Sequence, residues 1–142
     1  MPQKWSNCKQ RAWASVDRRG RPLLHTNYVC GGPADRESCR PDFAVALYPG
    51  HLWRGGDALE LNPSIHPARN TPPTFLLQAE NDNVDHVNQA LTCYIAFKNA
   101  GVPAEMRLYE DGGHALGLRR TKLPVTAWPN LVETGLGMIG VL

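Results

Sequence analysis

The chain has 142 residues, 42% hydrophobic and 20% charged, ordinary values for one globular domain large enough to bury a core. No apolar stretch approaches the roughly 18 residues that cross a membrane, and the basic start at Met1–Lys9 has no apolar stretch behind it. The expectation is therefore one soluble domain with no membrane partner and no secretory signal, cytoplasmic by default. Net charge is +2 but unevenly placed, with eight Lys/Arg against three Asp/Glu in residues 1–40. That basic arm shows no RNP, zinc-finger or heptad pattern, so no nucleic-acid partner is expected.

In chain order, residues 1–37 read as an irregular basic segment. Their few apolar clusters, around Trp13 and at Leu23-Leu24, are broken by Gly20, Pro22 and Gly31-Gly32-Pro33. Asp42–Gly50 is a continuous apolar run bounded by prolines, as expected of a strand buried on both faces of a parallel sheet. Residues 50–73 are rich in glycine and proline and keep no period, which predicts an irregular excursion over the sheet edge. Thr74–Ala79 is a second apolar strand. Val84, Val87, Leu91, Tyr94 and Ile95 then recur at three- and four-residue steps, predicting a helix from about Asp85, as N-cap, to Asn99, with Gly101 as its stop. After Pro103, Ala104–Glu110 alternates as a third strand with one exposed side, and Trp128–Leu142 reads as a last helix weakened by its glycines.

This order implies an α/β fold with a mostly parallel sheet, right-handed crossovers and flanking helices. Ligands of such sheets gather beyond the carboxyl ends of the strands, where Asp82 follows the second strand and His114 the third. Neighbouring strands are about 5 Å apart, so a carboxylate there can fix the tautomer of a histidine. Each residue also has a plain reading, Asp82 as a helix cap or loop acid and His114 as a loop histidine. Asp82, Asp85, His86 and His114 match no standard metal geometry. Of the four cysteines, Cys8, Cys30, Cys39 and Cys93, none forms a Cys-x-x-Cys pair, so no zinc site is expected, and the reading calls for no cofactor. Cys30 and Cys39 are spaced for a short disulfide in an oxidising compartment, and free thiols are the plainer reading.

From about Ser38 onward the chain resembles the C-terminal part of an α/β-hydrolase, of the esterase group that includes acetyl xylan esterases, feruloyl esterases and dienelactone-hydrolase-like proteins. The resemblance is carried by Cys39–Gly50, by Pro72-Pro73-Thr74-Phe75-Leu76-Leu77-Gln78-Ala79-Glu80-Asn81-Asp82-Asn83-Val84, by Ala96–Glu105, and by Leu108-Tyr109-Glu110-Asp111-Gly112-Gly113-His114 with the residues to Arg119. It implies a partial α/β-hydrolase domain over 38–142, a Ser-His-Asp mechanism with Asp82 as acid and His114 as base, and a small-molecule or carbohydrate ester substrate. His51 and Trp53, after the first strand, are candidate substrate contacts, and Trp53 reads equally as packing under the excursion.

The chain departs from the family at the nucleophile. No Gly-x-Ser-x-Gly occurs. Only Ser6, Ser15 and Ser38 precede the first strand, and Ser15, between Trp13 and Asp17, lacks the small residues of the tight turn. On the family layout the earlier strands have no counterpart. The sequence is therefore expected to be a hydrolase fragment whose first 35 or so residues come from a shifted frame or misplaced start, inactive alone. Two other readings stay open: a fragment of a prolyl-oligopeptidase-like serine peptidase, and a non-catalytic module that self-associates through an unpaired sheet edge at Asp42–Tyr48.

Overall fold

In the computed structural model, residues 41–138 are described. The segment 1–37, Ser15, and the cysteines Cys8, Cys30 and Cys39 lie outside them. Three parallel strands, β1 (Ala44–Leu47), β2 (Thr74–Ala79) and β3 (Ala104–Tyr109), form one sheet in the order β1-β2-β3. Ala44 pairs with Thr74 and Thr74 with Ala104, so the strands start level and their following loops leave the sheet at one rim.

Every residue of β2 is buried, because side chains alternate and both faces are covered. Phe75 and Leu77 pack with Leu47, Val125 and Trp128 on one face, while Leu76 packs with Ala46 and Cys93 on the other. Helix α1 (Asn88–Ala100) supplies Cys93. A 3₁₀ turn (Pro124–Ala127) and helix α2 (Trp128–Met138) supply Val125 and Trp128. The helices thus lie on opposite faces of the sheet. No described helix is long and apolar enough to cross a membrane. Burial pushes the Cys93 thiol up to about 12, so it is protonated at neutral pH and behaves as a small apolar side chain.

The strand expected over Asp42–Gly50 is shorter, and only Ala46 and Leu47 of it are buried. Among the described residues β1 is an edge strand, and the helices pack chiefly on β2 and β3, which accounts for its exposure. Its end is set by Tyr48, which turns at φ 41°. The helix expected from Asp85 begins three residues later, after Val87, with no side-chain cap. The cause is local: the carbonyl of Asp85, which a helix capped there would offer to the N–H of Gln89, accepts instead from Gln78 Nε2 at 2.7 Å, and the Gln89 N–H donates to His86 O. The other end is as expected. Gly101, at φ 73°, donates to Lys98 O while Val102 donates to Phe97 O, a left-handed closure of α1. The excursion from 50 to 73 contains a small hairpin, in which Trp53 pairs antiparallel with Leu61 and Arg54 N–H donates to Glu60 O.

Candidate active site

Both loops that carry the expected acid and base leave the sheet at the same rim, one from β2 and the next from β3. His114 Nδ1 lies 3.0 Å from Asp82 Oδ2. The Asp82 side chain is fully buried and His114 is about a quarter exposed. Besides His114, Asp82 accepts from the N–H of Val84, the N–H of Asp85 and Gln78 Nε2, the last at 3.0 Å. Burial pushes its carboxyl pKa up, but the backbone N–H groups of Asp85 and Val84 and the adjacent His114 outweigh burial and hold it below the ordinary aspartate value. An ionised carboxylate only accepts, so the neutral ring carries its proton on Nδ1 and leaves Nε2 with a free lone pair. The arrangement is a proton acceptor held in one orientation.

The lowered pKa has a consequence for stability. A carboxyl whose folded pKa lies below its unfolded value, about 3.9, contributes stability at higher pH that is lost as pH falls through the folded value. Urea unfolding below pH 4 is therefore expected to show a steeper loss of stability in the wild-type chain than in Asp82→Asn. Equal slopes would contradict this.

Several residues that sequence reasoning gave no role hold the site together. Gln78, the one polar residue in the apolar run Phe75–Ala79, sends its amide nitrogen to Asp82 Oδ2 and, at 2.7 Å, to the carbonyl of Asp85. A fully buried glutamine inside such a run is itself the signal that could have marked it. Asn81 clamps the two loops. Its Oδ1 accepts the N–H groups of Gly112 and Gly113 at 3.0 and 2.8 Å, and its Nδ2 donates to Asp111 Oδ1. No spacing rule links residues thirty positions apart. Gly112 has no room for a side chain, since a Cβ there would stand 2.9 Å from that of Ala79 and 3.2 Å from Val125. On the far side of the histidine, Trp128 Nε1 donates to Gly117 O, tying the loop to α2.

Tyr48 stacks obliquely on His114, ring centroids 4.9 Å apart. Of the two expected substrate contacts, His51 is exposed at φ 60°, and Trp53 is half-buried with its indole N–H donating to Ala58 O and its ring 5.4 Å from that of His86. Gln89 of α1 pins this loop by accepting the N–H groups of Leu52 and Trp53, both at 2.7 Å. Ser64 is the one serine among the described residues, and its hydroxyl donates to Asn62 rather than to His114. Among them no group of three or more His, Cys, Asp or Glu is arranged to hold a metal.

Residues 45–127, more than half of the chain, match the model of the prolyl oligopeptidase family. Among solved structures, the acetyl ester-xyloside bifunctional hydrolase from Caldicellulosiruptor lactoaceticus is similar at 30% identity and a TM-score of 0.67, over 80% of this chain and 48% of that one. Esterase 2 from Thermogutta terrifontis (22% identity, TM-score 0.60, 74% of this chain and 44% of that one) and a carboxylesterase from Lactobacillus plantarum (17%, 0.55, 71% and 46%) share the fold. The chain spans about half the length of these structures. No curated protein matches it.

Proposed function

Because the chain belongs to the prolyl oligopeptidase family and has the sheet of an α/β-hydrolase, we propose that Asp82 and His114 are the acid and base of a Ser-His-Asp carboxylic ester hydrolase. The observation that carries this reading is the Asp82–His114 contact at the carboxyl rim of the sheet, which leaves Nε2 free. In the reaction His114 Nε2 takes the proton of a serine hydroxyl, and the serine oxygen attacks the ester carbonyl. The same nitrogen protonates the departing alcohol and then activates the water that releases the acid. Asp82 stabilises the imidazolium formed in each half. Small-molecule or carbohydrate esters are the proposed substrate class, supported by the named activity of the 30% identical hydrolase, with His51 and Trp53 as proposed contacts.

The serine is proposed to come from a Gly-x-Ser-x-Gly turn that this sequence does not contain. The chain alone is therefore expected neither to hydrolyse p-nitrophenyl acetate nor to react with a fluorophosphonate probe. Joined behind the part of the Caldicellulosiruptor hydrolase that it does not cover, it is expected to do both. Turnover by the chain alone, or labelling of Ser15, would sink the missing-serine reading, and a folded but inert chimera would sink the acid-base assignment. The family description favours a second reading, a serine peptidase. Cleavage of a prolyl anilide by the chimera in preference to the ester would support it. The position of β1 at the sheet edge favours a non-catalytic reading, self-association, which concentration-dependent sedimentation would reveal.

A further inference from the structure

Asp82 is not the only carboxylate beside His114. Asp85 Oδ2 lies 3.9 Å from His114 Nδ1, too far for a hydrogen bond and near enough for one charge to act on another. The Asp85 main chain is held on both sides, its N–H by Asp82 Oδ1 and its carbonyl by Gln78 Nε2, so only the side chain is free to move. Gly50 packs against that side chain. A Cβ built on Gly50 would fall on Asp85 Oδ1 and stand 2.8 Å from its Cγ and Oδ2. Gly50 does not have a positive φ, so its neighbour, and not its own backbone, calls for glycine. The carboxylate thus occupies a niche between Gly50 and the imidazole. Asp82, meanwhile, divides its charge among three donors besides His114.

We propose that Asp85 is a second acidic positioning residue for His114, its carboxylate kept beside the ring by Gly50, where it helps to stabilise the imidazolium formed when Nε2 takes a proton. The proposal rests on the reading of His114 as the base. The titratable groups facing the ring from the elements around it are Tyr48 at the end of β1 and the two aspartates of the loop after β2.

The test is an NMR titration of the His114 ring in the full chain. Asp85→Asn, which leaves the main-chain bonds intact, is expected to lower the midpoint, because it removes the negative charge 3.9 Å from the ring. Gly50→Ala keeps the charge but displaces it, and is expected to lower the midpoint by less. In the chimera, Asp85→Asn is expected to move the acidic limb of kcat/KM to lower pH by the same amount. An unchanged midpoint in folded Asp85→Asn, or a raised one in Gly50→Ala, overturns the proposal. A lowered midpoint with an inert chimera sustains the carboxylate pair and removes the esterase reading; turnover without the shift does the reverse.

Discussion

Replacing His114 with alanine in the chimera is expected to lower kcat for ester hydrolysis by about 10⁶-fold, and replacing Asp82 with asparagine by about 10⁴-fold. The two losses differ because the residues do different work in the proposed mechanism. Without His114 no group at the rim accepts the serine proton. In Asp82→Asn the side chain keeps its size, and one oxygen still accepts from Val84 and Asp85. Its amide nitrogen then faces two donors, Gln78 Nε2 and the Nδ1–H of His114. The ring relieves that conflict by moving its proton to Nε2, where the free lone pair is needed. Steady-state kinetics with KM unchanged within about twofold would support these roles. A loss of less than tenfold for His114→Ala would remove His114 from the chemistry.

The second large effect falls on stability. Leu77→Ala is expected to cost about 3 kcal/mol, within the range of roughly 2–5 for truncating a buried leucine. Leu77 is fully buried in the middle strand, packed with Leu47, Phe75, Val125 and Trp128. The hole left there has rigid neighbours on the strands and on the α2 side, which limits relaxation. Leu59, 44% exposed near the tip of the excursion's hairpin, offers the contrast, and Leu59→Ala is expected to change stability by no more than about 0.5 kcal/mol. Urea midpoints for the two variants check this. Equal midpoints would mean that the described core does not govern folding. Because β2 runs into the Asp82 loop, Leu77→Ala is also expected to broaden the His114 resonances before it unfolds the chain.

Much of the frame was legible in the residues. Thr74–Ala79 reads as a strand covered on both faces because its six positions carry no charge and only Thr74 and Gln78 are polar, and Gly101 reads as a helix stop because glycine alone adopts a left-handed turn without cost. The start of α1 is not legible because local periodicity does not show competition for backbone groups: the Asp85 carbonyl that would accept the first helical N–H is taken by the side chain of Gln78. The run at Asp42–Gly50 reads as fully buried because hydropathy does not say how many neighbours a strand has.

The order of elements and the apolar periods were enough to set the parallel α/β sheet and to put Asp82 and His114 on consecutive loops at its carboxyl rim. They act through local rules, the alternation of strands and the 3.6-residue helix repeat, which a linear sequence displays directly. What needed the tertiary structure was everything that depends on contact across the chain. Asn81 meeting Gly112 and Gly113, Gln89 holding the turn at Trp53, and Gly50 making room for Asp85 join residues 31 to 36 positions apart, and no spacing encodes them. The 3.0 Å contact between His114 and Asp82 joins the two loops that Asn81 clamps together. It exists because register, loop clamps and packing all bring two short side chains to the same point.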